Sequence, residues 1–195
     1  MRKILFIICW ALAGVGLYSC SLDEPSYGKT TSDNYYQKES DIEQALTGAY
    51  LQLRTTWNEY ALNHYFVGDC STDDALKGGG NDGDRAEVRD LSDFTIYTTN
   101  GEVGRRWEIL YRLINRCNDV IYYAPDAIGN EELLKRYANE AKALRAFGYY
   151  CLVTTFGEVP LITTPMQPAE ILQIPRSPLE KVYECIVNDL TDASA

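Results

Sequence analysis

The sequence predicts an all-α protein, and three observations carry that prediction. Four stretches place apolar residues at helical spacing. Each is bounded by residues that start or stop helices, and no long run alternates apolar with polar residues as a half-buried strand would.

The first helix is announced by Ser40-Asp41-Ile42-Glu43, a capping box in which each end satisfies an orphan amide of the other. Ile42, Ala45, Leu46, Ala49, Tyr50 and Leu53 then form one continuous apolar stripe. A second helix carries Trp107, Leu110, Tyr111, Ile114, Cys117 and Ile121 and must end before Pro125. The third is long, from about Glu131 to Phe156, with Leu133, Tyr137, Ala141, Leu144, Cys151, Leu152 and Phe156 facing inward and Gly157 as its stop. The fourth opens with Ser177-Pro178-Leu179-Glu180, a second capping box with proline at the first helical position, where no amide is needed. Leu179, Val182, Tyr183, Ile186, Val187 and Leu190 make its stripe.

Cys117, Cys151 and Cys185 sit 34 residues apart, the tetratricopeptide period. Such a repeat contains two helices, whereas each interval here advances by about one. Trp107-x-x-Leu110 and Ala143-x-x-x-Phe147 fit the two helices of one unit, but the second piece arrives about 20 residues late. The expected architecture is therefore tetratricopeptide-like helical hairpins with long irregular insertions.

The chain starts with Arg2 and Lys3, an apolar run from Ile4 to Leu17, and then Tyr18-Ser19-Cys20. That order describes an export signal. Fourteen residues at ~1.5 Å each reach roughly 21 Å, short of a ~30 Å hydrocarbon core, so the run is not a spanning helix. Cysteine directly after the apolar run looks like a bacterial lipobox, with Cys20 left as the lipidation site; the alternative is an ordinary secretory signal with an incidental cysteine. Two or three acyl chains would hold the protein to a membrane durably. Ser21-Leu22-Asp23-Glu24-Pro25 is acidic and would not be drawn to anionic headgroups, so the anchor must do the holding. In lipoproteins of some Gram-negative bacteria such a stretch resembles a signal for display on the outer face of the outer membrane. The expected organisation is a lipoprotein signal peptide over 1–19, an anchor-proximal linker over 20–39, and a helical domain over 40–195 that is incomplete at its C-terminal end.

Without residues 1–19 the net charge moves from −10 to −12. So acidic a body has nothing to neutralise phosphates with, which argues against nucleic acid. The 23 aromatic residues, fifteen of them tyrosine, are ample for a packed core. Cys70, Cys117, Cys151 and Cys185 lack a Cys-x-x-Cys pair, and His64 is the only histidine, so no metal site or cofactor is expected. The four read as small core residues rather than bridges. Trp57 and Trp107 read as core anchors.

A resemblance then becomes specific. Cys20-Ser-Leu-Asp-Glu-Pro25, Trp107-Glu-Ile-Leu-Tyr111-Arg-Leu-Ile114-Asn-Arg-Cys117-Asn118 and the run Glu140-Ala-Lys-Ala-Leu144-Arg-Ala-Phe147 through Phe156-Gly157-Glu-Val-Pro160 occur in order, followed by Arg176-Ser-Pro-Leu-Glu180 and Asn188-Asp189-Leu190. Together they resemble the N-terminal portion of the SusD/RagB-like outer-membrane nutrient-binding lipoproteins. The resemblance implies a non-enzymatic, lipid-anchored, cell-surface protein that binds oligosaccharide nutrients and cooperates with a TonB-dependent outer-membrane transporter. The alternative is a helical scaffold lipoprotein binding a protein or peptide partner.

The stretch from Cys70 to Arg106 lacks a long helical stripe and lies between helices, a usual setting for a binding loop. Sugar recognition needs a flat aromatic face against the C–H side of a ring and side chains that donate and accept around it. Tyr97 and Asn100 supply both, Arg85 or Arg89 could add a forked donor, and Asp73 an acceptor; the alternative is a solvated loop. Other motifs fail. Gly78-Gly-Gly80-Asn-Asp-Gly83 is a literal G-x-G-x-x-G without a preceding strand and with acidic neighbours that repel pyrophosphate. The same acidic cluster lacks the spaced ligands and terminal glutamate of a calcium loop, which leaves a looser ion site as the alternative. For Asp69, Asp73 and Asp74 to make a glycosidase pair, two carboxylates must sit about 5–9 Å apart across a cleft, which sequence proximity does not show, and nothing local supports a triad at His64.

Overall fold

The computed structural model describes residues 35–54, 65–81 and 83–194, all within one compact unit. The leader, Cys20, Trp57, His64 and Asp82 lie outside the described residues. The helices are α1 Glu39–Tyr50, α2 Ala86–Ser92, α3 Gly101–Tyr123, α4 Glu131–Phe156, the single turn α5 Pro168–Ile171, and α6 Leu179–Ala193. A helical turn at 65–67 precedes a 3-10 turn at Asp69–Ser71. Among the described residues no strand forms; two isolated bridges pair Lys38 with Ile128 and Val159 with Ser177.

The four long helices fall on the four predicted stripes, and α4 has the predicted bounds. Asn130 caps it by accepting the N–H groups of Glu132 and Leu133 at 2.9 and 3.2 Å. Gly157 stops it at φ +72°, a left-handed conformation that a side chain would strain. The other ends need correction. Ser40 does not cap α1: Lys38 holds that position, and the Asp41 carboxylate accepts the N–H groups of Lys38 and Gln37 at 3.0 and 3.2 Å. The cause is tertiary, because the bridge to Ile128 fixes the backbone of Gln37 and Glu39 before Ser40 is reached. Pro178, not Ser177, takes the cap position of α6, since Ser177 donates its N–H to the Val159 carbonyl at 3.0 Å. α3 begins at Gly101, a turn and a half ahead of its first apolar anchor, and α2 has too few residues for a stripe.

α3 and α4 form an antiparallel hairpin closed by the 3-10 turn Ala124–Asp126: Arg106 meets Thr155, Ile114 meets Gly148, and Asn118 meets Arg145. A Cβ on Gly148 would stand 3.0 Å from Ile114 Cγ1, so glycine sets how closely the two helices approach. α1 packs Ile42, Leu46 and Ala49 against Leu113, Cys117, Val120, Tyr137 and Ala141. α6 packs Val182 and Ile186 against Ile109, Leu110, Tyr149 and Leu152. Cys117, Cys151 and Cys185 fall on three successive long helices, one per interval, so their period marks no repeat. Phe147, the second anchor of the partial repeat match, is 40% exposed.

Cys70, Cys117 and Cys151 are buried thiols outside any disulfide and Cys185 is a half-buried one. Burial pushes the Cys117 thiol up to about 12; burial and then Asp189 push Cys185 up to about 11, so both stay protonated.

One ion pair crosses the core. Arg145 of α4 donates from Nε and Nη2 to the two Asp189 oxygens of α6 at 2.8 and 2.7 Å, and from Nη1 to Asn118 Oδ1 and the Thr163 carbonyl, each at 2.9 Å. Asn118 donates to the Ile162 carbonyl at 2.9 Å, which also accepts the Tyr149 hydroxyl at 2.8 Å. Three helices and the segment after Gly157 meet at this network.

Asp119 adds a pH dependence. Burial raises its pKa, while the Tyr36 hydroxyl at 3.2 Å and then Arg116 hold it partly down. A carboxylate raised on folding contributes stability that is full below its unfolded pKa and is lost as pH rises through the folded one. Asp119→Asn is therefore expected to raise the melting temperature relative to the parent more at pH 7 than at pH 4. An equal shift at both pH values in thermal melts would contradict this.

Candidate functional site

The segment between the 3-10 turn at Asp69–Ser71 and α3 is built on a small core of its own, Phe66, Cys70, Val88 and Leu91. Arg85 sits at the N-cap of α2 with φ +48°. Its guanidinium lies 4.7 Å above the Phe66 ring, and Nη1 is 3.2 Å from Glu102 Oε1 of α3. The Glu102 side chain is only 9% exposed and also faces Arg105 Nε at 3.8 Å. Asn100 locks the two helices together. Its Oδ1 accepts the N–H groups of Glu102 and Val103 at 3.0 and 3.2 Å, and its Nδ2 donates to the Glu87 carbonyl at 2.9 Å. Glu87 returns a carboxylate oxygen to the Gly101 N–H at 2.9 Å.

After α2 the chain turns at Phe94, which like Arg85 is a non-glycine residue with positive φ, +54°. The Thr95 N–H donates to the Asp90 carbonyl at 2.9 Å and that of Asn100 to Tyr97 at 3.0 Å, which pins both ends of the strip between them. Phe94 is 71% exposed and Tyr97 68%, with Ile96 beside them at 47%. Large apolar groups this open form an exposed apolar surface rather than a core.

Of the four predicted glycan-binding residues, Arg85, Tyr97 and Asn100 gather around the N-terminus of α3. Tyr97 offers an open ring and Arg85 a partly exposed guanidinium. Asn100 offers neither: it is 6% exposed and both ends of its amide are engaged at the cap. Asp73 stands exposed on the turn after Ser71, with no hydrogen bond or ion pair to the other three among the described residues. Sequence reasoning missed Phe94, Ile96 and Glu102. The first two carried a signal, two apolar residues beside Tyr97 in a stretch with no helical stripe; Glu102 carried none. No group of three or more His, Cys, Asp or Glu side chains gathers to hold a metal among the described residues.

A family model described as starch-binding and associating with the outer membrane matches residues 21–195. This chain belongs to the SusD-like family. SusD-like protein P2 of Formosa agariphila is 30% identical over 193 residues, which cover 96% of this chain and 36% of that protein. SusD-like protein P25 of the same organism is 26% identical over 200 residues, 96% of this chain and 37% of its own length. Among solved structures, a laminarin binding SusD-like protein superposes with a TM-score of 0.71 at 31% identity, covering 81% of this chain and 34% of that one. Surface glycan-binding protein A from Bacteroides fluxus gives 0.66 at 30% identity, covering 80% and 33%. The SusD-like chain thus spans about a third of the length of the relatives it matches. The family description names binding to a glycan, and association with the outer membrane, rather than a reaction.

Proposed function

We propose that this chain is the N-terminal part of a cell-surface lipoprotein that binds oligosaccharides without cleaving them. It is lipidated at Cys20 and hands its ligand to a TonB-dependent outer-membrane transporter. The observation that carries the binding reading is the exposed Phe94–Tyr97 strip, which leads into the capped junction of α2 and α3 where Arg85 meets Glu102. Stacking of a pyranose on the Tyr97 ring would use the ring's open face, and the Arg85 guanidinium, steadied by Glu102, would donate to hydroxyls. The lipobox-like order at Tyr18-Ser19-Cys20 and the acidic residues after it support anchoring and outward display. The family's association with the outer membrane supports the transporter as partner.

Two probes follow from the comparisons, maltohexaose for starch and laminarihexaose for laminarin. Saturable heat is expected from at least one in isothermal calorimetry, weakened about tenfold by Tyr97→Ala with an unchanged melting temperature. Heat from neither would defeat the reading. A second reading, a helical scaffold for a protein partner, is favoured by one observation: Tyr183, Val187 and Leu190 leave α6 with an apolar stripe 43–59% exposed. Substitutions on that stripe would then abolish partner capture while sugars had no effect.

A further inference from the structure

A separate groove of roughly 440 Å³ opens between α3 and the 157–171 segment, within the size range of small-ligand sites. Trp107 and Tyr111 line it one helical turn apart, their ring centroids 4.9 Å apart and tilted 48°. Phe156 backs Trp107 edge-on at 5.1 Å. The Tyr111 hydroxyl donates to the Pro160 carbonyl at 2.7 Å, so its ring is fixed and its face, not its hydroxyl, is left for a ligand. Glu108, Arg112 and Asn115 stand along the same helix at the groove, with Arg112 Nη2 3.9 Å from Glu108 Oε1. Trp107 lies about 10 Å along α3 from the Asn100 cap, which makes this a different place from the Tyr97 strip.

Two aromatic faces select a flat apolar surface. The rim offers an acceptor in Glu108, a donor in Arg112 and both in Asn115, and its two charges cancel. That combination suits neither a free anion nor a free cation. It suits a neutral ring with one C–H face and hydroxyls around its edge. Resting on the glycan reading above, we propose that this groove is a second saccharide subsite, taking pyranose units on Trp107 and Tyr111 with Glu108 and Asn115 bonding to their hydroxyls.

The sequence holds three tryptophans, so Trp10→Phe with Trp57→Phe leaves Trp107 as the only tryptophan, read by excitation at the red edge where the tyrosines do not absorb. Titration of this parent with maltohexaose and laminarihexaose is expected to change Trp107 emission saturably. Glu108→Ala and Asn115→Ala, both at exposed positions, should each raise the midpoint about three- to tenfold at an unchanged melting temperature, whereas Tyr97→Ala should leave it within twofold. Calorimetric binding with a silent Trp107 and unaffected rim variants would overturn the groove while leaving the glycan reading standing. Equal sensitivity to Tyr97→Ala would make it one site rather than two. A Trp107 response to a leucine-rich amphipathic peptide but to neither sugar would assign the groove to a protein partner. Absence of heat from both sugars would overturn the groove together with the reading it rests on.

Discussion

Replacing Arg145 with alanine is expected to cost about 3–5 kcal/mol of folding stability, the range for removing one partner of a buried ion pair. The guanidinium meets Asp189 as a fork, and the two side chains are 8% and 6% exposed. Burial alone would lower the Arg145 pKa, but the hydrogen bonds and charge of Asp189 more than reverse it, so the guanidinium is held in its charged form. Alanine would strand the Asp189 carboxylate and remove the donor that Asn118 and the Thr163 carbonyl share. Urea unfolding followed by circular dichroism measures the loss. Arg145→Lys keeps the charge but not the fork and should recover only part of it. Arg145→Met with Asp189→Leu, which removes both charges, should sit nearer the parent than either single truncation. A parent-like midpoint for Arg145→Ala would show that the network does not hold α4 to α6.

Tyr149→Phe removes one oxygen and is expected to cost about 2 kcal/mol, the scale of leaving a buried peptide group unsatisfied. The residue is fully buried; its hydroxyl donates to the Ile162 carbonyl at 2.8 Å and accepts the Ile162 N–H at 2.7 Å. Asn118 would still serve the carbonyl, so the deficit falls on the N–H. Burial pushes the phenol well above its ordinary pKa, outweighing the Ile162 N–H bond that lowers it, so it is a neutral donor throughout the physiological range. Hydrogen exchange gives a local readout that global stability does not: the Ile162 amide should lose protection beyond the general decrease. Retained protection there would contradict the assignment.

Apolar spacing made the long helices readable, and Gly157 made the end of α4 readable, because both signals are local. Ser40 and Ser177 misled for the opposite reason. Each has cap chemistry, but a bridge to a distant segment, Ile128 for α1 and Val159 for α6, fixed the backbone first. Arg145 and Asp189 lie 44 residues apart, and nothing in either neighbourhood announces the other. At the candidate site Tyr97 and Arg85 were legible as residue types suited to sugars. The capping role of Asn100 was not: an asparagine before a helix start is equally a cap and a ligand, and the bonds it makes to Glu102, Val103 and Glu87 are visible only in the structure. Phe94 and Ile96 were overlooked because loop apolar residues are usually taken inward, whereas the left-handed turn at Phe94 leaves them open.

The most direct test of the glycan-binding account is a two-dimensional amide NMR titration of this protein with maltohexaose and laminarihexaose. The account predicts saturable shifts at Phe94, Ile96, Tyr97 and Arg85, reduced throughout that group in Tyr97→Ala. Saturable shifts that leave those four residues untouched, or no shifts with either sugar, would contradict it.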